Sequence, residues 1–224
     1  DNIAPVNLPL DIAYEDDDII VINKPFDMPA HPSAGNHDNT LANALMYYYG
    51  SQNKPFVYRC INRLDRDTTG LTIVAKHALA GGILGNAVAK RAIHRTYYAV
   101  CSGCTPACMR ISAPIARKDA STIERCVDFK RGENAVTDFI RIKYNPDNNL
   151  SLVKLRLLTG RTHQIRVHMK YIGFPLIGDF LYNPDYTYIS RQALHSGRLV
   201  FTHPVTGQKM NLISDIPSDM KSLF

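Results

Sequence analysis

The chain has 224 residues, 45% hydrophobic and 21% charged, and it is long enough to bury a sizeable globular core. No apolar run approaches the roughly 20 residues that a membrane-spanning helix requires, so we expect no membrane partner. The 26 Lys and Arg residues exceed the 20 Asp and Glu residues and give a net charge of +6, which favours nucleic acid as a partner.

Five cysteines are present, and an odd number without a secretory signal indicates free thiols in a reducing compartment. We therefore expect a cytoplasmic protein. Cys101, Cys104 and Cys108 have a spacing that could begin a zinc site, but no second closely spaced pair of ligands follows them. His163 and His168 lack the four-residue spacing that places two ligands on one helix face. We expect no bound metal.

The first half of the chain alternates short apolar runs with helical patterns. Strands are predicted at residues 18–23, 71–75 and 93–101, and helices at residues 40–49 and 77–90. Thr40 or Asn39 is placed to cap the first of these helices.

The second half is richer in strands. Strands are predicted at residues 111–115, 123–129, 136–143, 150–158, 199–201 and 209–213. A turn at residues 159–162 precedes a helix over residues 163–171, with Thr162 as its cap. Because strands follow one another without regular helices between them, we expect an α+β domain with a mixed or antiparallel sheet.

The segment 63–71 carries two acids, two guanidiniums and two hydroxyls just before a buried strand, and Gly70 allows a tight turn there. A polar loop with surface ion pairs would have the same composition. Loops of this kind are also where rigid scaffolds present catalytic groups.

The order Arg63-Leu64-Asp65, then Thr68, then Thr69-Gly70-Leu71, resembles the catalytic motif of the RluA-type family of RNA pseudouridine synthases. Segments at residues 20–32, 95–100, 160–179 and 194–204 resemble further blocks of that family in the same order. Position 62 is Asn where the best-known members have His, and position 69 is Thr where Ser is common.

The resemblance implies a pseudouridine synthase fold: an α+β catalytic domain over residues 11–224, with a mixed, mostly antiparallel β-sheet flanked by helices and loops. Residues 1–10 would be an N-terminal extension, in place of the small RNA-binding domain that many members carry. The expected activity is isomerisation of a specific uridine in ribosomal or transfer RNA, without a cofactor because no redox change occurs. We expect a monomer that binds RNA and not DNA.

The resemblance also implies the catalytic residues. Asp65 would act on the ribose, either by adding to the anomeric carbon or by removing the neighbouring 2′ hydrogen. Arg161 would pair with Asp65 and hold its charge. Tyr97 would stack on the uracil and help to move the proton from carbon 5. Arg63 would fill the space that the flipped base leaves.

Five further positions complete the expected substrate site. Ile165 and Arg166 belong to the signature at residues 160–168, and Arg166 and Lys170 lie four apart on the predicted helix, where they could contact phosphate from one face. Lys24 and His31 are candidates for the rim of the cleft.

Two other functions compete with this interpretation. Asp65-x-Asp67-x-Thr69 fits the pattern of haloacid-dehalogenase-like phosphatases, but the preceding residues 61–64 are too polar for the buried parallel strand that this chemistry requires. A non-catalytic RNA-binding module would explain the basic charge, although it gives no reason for Asp65 to lie among arginines. Magnesium dependence would identify the phosphatase, and RNA binding without turnover would identify the module.

Overall fold

A computed structural model describes residues 3–33, 35–120 and 122–224. The chain divides into two compact units, each formed by two stretches of sequence. Unit 1 comprises the residues up to Ile93 together with Arg198–Ser214, and unit 2 comprises His94–Gly197 and Asp215–Phe224. Residues 1 and 2 of the expected N-terminal extension lie outside the described residues.

Strands outnumber helices in both halves of the chain. The strands are β1 (Ile12–Glu15), β2 (Ile19–Lys24), β3 (Thr69–Ala75), β4 (His94–Ser102), β5 (Cys108–Ser112), β6 (Ile115–Arg117), β7 (Arg125–Val127), β8 (Val136–Asn145), β9 (Leu150–Leu157), β10 (Leu194–Thr202) and β11 (Lys209–Ile213). The helices are α1 (Leu41–Gly50), α2 (Ala78–Ala89), α3 (Gln164–Tyr171) and α4 (Ser218–Lys221).

Unit 1 places a sheet between two helices. Strand β2 pairs antiparallel with β1 and β3, and β10 pairs antiparallel with β11. Because side chains alternate along a strand, the two faces of β3 enter different clusters. Leu71 and Ile73 pack with Leu84 of α2, whereas Val74 packs with Leu41 and Leu45 of α1. Strand β3 is buried along its whole length and therefore gives the loop that precedes it a rigid base.

The helices of unit 1 begin at capping residues. Thr40, rather than Asn39, caps α1 and forms a capping box with Asn43. His77 caps α2 by accepting a hydrogen bond from the amide of Ala80 at its Nδ1. Within the described residues, no helix has the length and apolar character that crossing a bilayer requires.

Unit 2 contains a sheet in the order β4-β9-β8-β5, in which every neighbouring pair is antiparallel, and a separate β6-β7 hairpin. One core cluster joins Val100 and Leu150 of the sheet to Met220 of α4. A second cluster joins Ile115 of the hairpin to Val167 of α3. The mostly antiparallel α+β architecture confirms the expected fold class.

Several predicted boundaries in unit 2 are wrong. The strand expected at residues 111–115 is two strands, because Pro114 has no amide hydrogen to donate to a sheet. The strand expected at residues 123–129 is reduced to Arg125–Val127, since the Asp128 carboxylate accepts the amides of Lys130 and Arg131 and turns the chain. Strand β1 and helix α4 have no counterpart among the elements expected from the sequence.

Candidate active site

The loop that carries Asp65 is anchored to β3 by Asn62. The buried Asn62 side chain donates to the carbonyl of Leu71 at 3.2 Å and accepts from the amide of Ile73 at 2.8 Å. The Asn62 carbonyl also accepts from the hydroxyl of Thr72 at 2.7 Å. At position 62, where the sequence departs from the family pattern, the Asn side-chain amide thus satisfies two main-chain groups along one edge of β3.

The next residues of this loop are held by Lys24. The amide of Thr68 donates to the carbonyl of Asp65 at 3.1 Å and closes a turn. The Lys24 ammonium, which is 1% exposed, donates to the carbonyls of Arg66 at 2.9 Å and Pro25 at 2.7 Å. The expectation that Lys24 lies at an exposed rim is therefore wrong. A buried ammonium must have acceptors, and these carbonyls are among those it uses to position the loop.

The side chains of this loop differ in exposure. Asp65 is half-buried, whereas Arg63 is exposed, and within the described part of the chain no hydrogen bond is formed by the Arg63 guanidinium. His31 is also exposed, and its ring centroid lies 5.8 Å from that of Tyr58. Arg63 and His31 are therefore accessible to a ligand from solvent.

In unit 2, Tyr97 lies on β4 and is 4% exposed. Its register partner on β9 is Leu155, which is also buried. The phenol is thus carried by a strand of the sheet, which fixes its backbone more firmly than a loop would.

The turn that carries Arg161 is fixed by Gln164. The Gln164 carbonyl oxygen accepts from the amide of Arg161 at 3.0 Å and from the hydroxyl of Thr159 at 2.7 Å. Its amide nitrogen donates to the carbonyl of Val136 and the hydroxyl of Thr137 on β8. The Gln164 side chain therefore satisfies hydrogen-bonding groups of the turn before α3 and ties that turn to β8. The expectation that Thr162 caps this helix is wrong, because the N-cap residue is His163 in a left-handed conformation, with φ of 56°.

The Arg161 guanidinium is oriented by residues 133 and 134. Its Nε donates to the carbonyl of Asn134 at 3.1 Å, and one terminal nitrogen forms an ion pair with the carboxylate of Glu133. The side chain remains 38% exposed. Arg161 is held at the surface of its unit with N–H donors left for a further acceptor.

Arg166 does not lie on an exposed helix face. Its Nε and Nη2 donate to the two carboxylate oxygens of Asp179 at 2.7 and 2.8 Å, and both side chains are buried. The guanidinium also lies 5.4 Å from the ring of Phe180 and 5.0 Å from the ring of Tyr182. The expectation that Arg166 joins Lys170 in contacting phosphate from one exposed face is wrong. Neighbouring Ile165 is 4% exposed.

Comparison with known proteins decides the family. A family model described as RNA pseudouridylate synthase matches residues 18–171, more than half of the chain. The chain belongs to this family. It is 43% identical to the uncharacterized RNA pseudouridine synthase YjbO of Bacillus subtilis, over 97% of this chain and 76% of that protein. It is 38% identical to the ribosomal large subunit pseudouridine synthase D of Zymomonas mobilis, over 98% of this chain and 73% of that protein.

A solved structure agrees with this assignment. The human RNA pseudouridylate synthase domain containing 1 superposes with a TM-score of 0.77 at 26% identity, covering 92% of this chain and 83% of that chain. The protein is therefore an isomerase that converts uridine in RNA to pseudouridine. The phosphatase alternative and the non-catalytic module are thereby set aside.

Among the described residues of the synthase, one group has the side chains and spacing to hold a metal ion: Asp16, Asp18 and His203. These side chains already have partners. His203 Nε2 lies 2.8 Å from an Asp16 oxygen that also accepts from the hydroxyl of Tyr14. The group therefore fits an internal hydrogen-bond network in unit 1. Cys101 is buried, which raises the pKa of its thiol, whereas Cys104 and Cys108 are exposed.

Sequence reasoning missed the supporting role of the residues that hold the expected site residues in place. Asn62 ties the loop that carries Asp65 to β3. Gln164 ties the turn that carries Arg161 to β8, and Asp179 accepts two hydrogen bonds from Arg166. Glu133 does the same for Arg161 through its ion pair. Gln164 and Asp179 lie inside the family-like segment 160–179, which is the signal that could have found them.

Proposed function

We propose that the enzyme modifies a specific uridine of large-subunit ribosomal RNA and that Asp65 is the group that acts on the ribose. The choice of RNA is supported by relatives such as the ribosomal large subunit pseudouridine synthase D of Haemophilus influenzae, which is 42% identical over 97% of this chain and 71% of that protein. A cytoplasmic location is supported by five free cysteines.

The proposed role of Asp65 is supported chiefly by the rigidity of the loop that contains it. The hydrogen bonds of Asn62 to β3 and of Lys24 to the Arg66 carbonyl fix the backbone on both sides of Asp65. A catalytic carboxylate has to be held within a fraction of an ångström of its target. A loop that served only as a solvated turn would not need a buried ammonium beneath it.

The reaction breaks the bond between N1 of uracil and the anomeric carbon and forms a bond between carbon 5 and that carbon. Carbon 5 loses a proton, N1 gains one, and no electron is transferred to or from the substrate, so the side chains can supply all of the chemistry. Asp65 acts in its ionised form, either as a nucleophile towards the anomeric carbon or as a base towards the 2′ hydrogen.

The remaining roles are proposed from the family resemblance. Arg161 stabilises the Asp65 carboxylate, and Tyr97 stacks on the uracil and assists the transfer of the carbon 5 proton. Arg63 fills the space that the flipped base leaves, and its exposed guanidinium supports this role. Ile165 and His31 contact the substrate near the reacting nucleotide.

The test is release of tritium from RNA labelled at carbon 5 of uracil, in excess EDTA. We expect wild type to release label from ribosomal RNA, and Asp65→Asn to be slower by about 10²-fold or more while binding RNA normally. Asp27→Asn is the matched control. It removes a carboxylate that is 70% exposed and 3.8 Å from Arg66, so its activity should match wild type.

Each failure has a separate meaning. Release from transfer RNA alone would overturn the choice of RNA. Activity of Asp65→Asn within threefold of wild type would overturn the role of Asp65. Deuterium at the 2′ position of the target uridine separates the two mechanisms, since only hydrogen abstraction predicts a primary isotope effect on turnover.

A further inference from the structure

Unit 2 contains a cavity of about 490 Å³, and of its lining residues only Arg161 takes part in the proposed chemistry. The cavity is lined by the β6-β7 hairpin, the segment that follows the hairpin, and the turn before α3. We call it the arginine pocket. Its lining residues are Ile115, Ala116, Arg117, Arg125, Arg131, Glu133, Gly160, Arg161 and Thr162.

The charge of this pocket is strongly unbalanced. Among the described residues that line it, four are arginines and Glu133 is the single acid. Arg95 of β4 lies beside the wall as well, since its Nη2 would be 3.2 Å from a Cβ placed on Gly160. The positive charges around the cavity repel each other, and a bound anion would replace this repulsion with attraction.

The guanidiniums are already oriented by short contacts within the unit. Arg117 and Arg125 each donate to a nearby main-chain carbonyl at 3.2 Å, Arg131 donates to the Asp128 carboxylate at 2.7 Å, and Arg161 donates to the Asn134 carbonyl at 3.1 Å. A guanidinium has five N–H donors, so these contacts orient each side chain and leave donors for a ligand. Such pre-orientation lowers the entropic cost of binding.

The backbone around the pocket is equally constrained. A Cβ on Gly132 would lie 2.3 Å from the carbonyl oxygen of Asp128 and 2.7 Å from the carbonyl carbon of Pro114. The amides of Ile115 and Glu133 each donate to the other residue's carbonyl at 2.9 Å. The hairpin and the following segment are therefore packed backbone against backbone, which makes the pocket a built feature of the unit.

The lining chemistry favours phosphate over a nucleobase. Arginine presents a planar fork that matches two phosphate oxygens. RNA bases are usually bound by stacking on aromatic rings, and the described lining contains none. The volume lies within the range of about 300–1,000 Å³ that is usual for ligand pockets, which leaves room for the sugar attached to a phosphate.

We propose that the arginine pocket binds backbone phosphate of the RNA substrate at a nucleotide other than the one that reacts. The pocket would then supply affinity and register without reading sequence. This inference rests on the proposed function only in taking RNA as the ligand. It assigns to Arg117, Arg125 and Arg131 a binding role that is separate from the chemistry at Asp65.

The test uses Arg117→Gln, Arg131→Gln and the double variant of the full chain. Both side chains belong to exposed residues, so the fold should be retained, as far-UV circular dichroism can verify. Arg110→Gln is the matched control, because it removes an exposed guanidinium of the same unit that pairs with Asp138 and does not line the pocket.

Two experiments are made: RNA affinity is measured as a function of salt concentration, and the kcat and KM for tritium release are determined. Each pocket variant should reduce the slope of log affinity against log salt by about one, and the double variant by about two, while the control leaves it unchanged. KM should rise and kcat at saturating RNA should be retained, because a remote phosphate contact is made equally in ground state and transition state. Arg131→Lys, which keeps the charge but not the fork, should keep the salt slope.

The outcomes separate this inference from the proposed function. Normal tritium release by wild type with an unchanged salt slope in the double variant would overturn the inference and leave the function standing. A reduced slope in a protein that releases no tritium would support the inference and overturn the function. If inorganic phosphate alone binds the pocket at submillimolar concentration and the RNA salt slope is unchanged in the variants, the pocket belongs to a small anion and the inference is overturned.

Discussion

Asp179→Asn is expected to destabilise unit 2 strongly, because it removes the carboxylate from a buried ion pair. In the native structure this carboxylate accepts two hydrogen bonds from Arg166 and two from the amides of Leu181 and Tyr182. The side chains of Arg166 and Asp179 are 1% and 0% exposed. Asparagine keeps one oxygen acceptor but presents N–H groups where the guanidinium needs a second acceptor, and it carries no compensating charge.

The magnitude follows from this geometry. Removing one partner of a buried, hydrogen-bonded ion pair costs about 3–5 kcal/mol, because the remaining charge stays in a medium of low polarity. In a domain of about this size, each kcal/mol lowers the melting temperature by roughly 2–4 °C. We therefore expect the melting temperature to fall by about 6–20 °C.

The assay is equilibrium unfolding in urea followed by far-UV circular dichroism, since the chain has no tryptophan for fluorescence. Asp215→Asn is the control. It removes a carboxylate that is 91% exposed and 3.9 Å from Lys221, and it should change stability by less than about 0.5 kcal/mol. The combined change Arg166→Met and Asp179→Leu should recover part of the loss, because no charge then remains buried. A loss below about 1 kcal/mol in Asp179→Asn would refute this reasoning.

Three further changes test other parts of the structure. Asn62→Ala removes the side-chain hydrogen bonds to the Leu71 carbonyl and the Ile73 amide, and it should lower the free energy of unfolding by about 1–3 kcal/mol in thermal unfolding. A loss under about 0.5 kcal/mol would contradict this role of Asn62. Burial lowers the pKa of His168, so this residue should not affect stability at pH values above its unfolded pKa of about 6.5. As the pH drops below that value, the free energy of unfolding should decrease by up to about 1.4 kcal/mol per pH unit. His168→Gln should flatten this pH dependence, as measured by urea unfolding at several pH values. Gly178→Ala combines a φ of +67° with a Cβ 2.1 Å from a carbonyl oxygen and should lose more than about 2 kcal/mol, whereas Gly173→Ala, with φ of +86° and open space around it, should lose less; equal losses would contradict the steric account.

The sequence predicts elements well where a local signal is strong. Strand β3 is rich in apolar and β-branched residues, α1 has a Thr cap followed by helical spacing, and β11 has the predicted bounds. In these places, local propensity and burial favour the same structure. The candidate site is predicted through its motif, which identifies Asp65 but not what holds it.

The errors arise where long-range contacts decide the structure. Sequence alone favours a surface position for Lys24 and Arg166, because charged side chains are rarely buried. Each is buried because distant groups, the Arg66 carbonyl for Lys24 and the Asp179 carboxylate for Arg166, accept its hydrogen bonds. Spacing along one helix or strand carries no information about such partners. The predicted cap of α3 is wrong for the same reason, since the Gln164 side chain bonds to β8 and to the preceding turn.

The division of each unit into two stretches of sequence has a consequence for synthesis on the ribosome. The core of unit 1 joins Ile19 and Leu71 to Phe201 and Met210, so it cannot close until the last of these residues has emerged. The core of unit 2 likewise needs Met220. Neither unit can therefore complete its core until translation has passed these late residues, and the nascent chain must pass through a long interval with exposed apolar strands. Until then, Leu71 and Ile73 of β3 lack the partners from β10 and β11 that cover them in the folded protein.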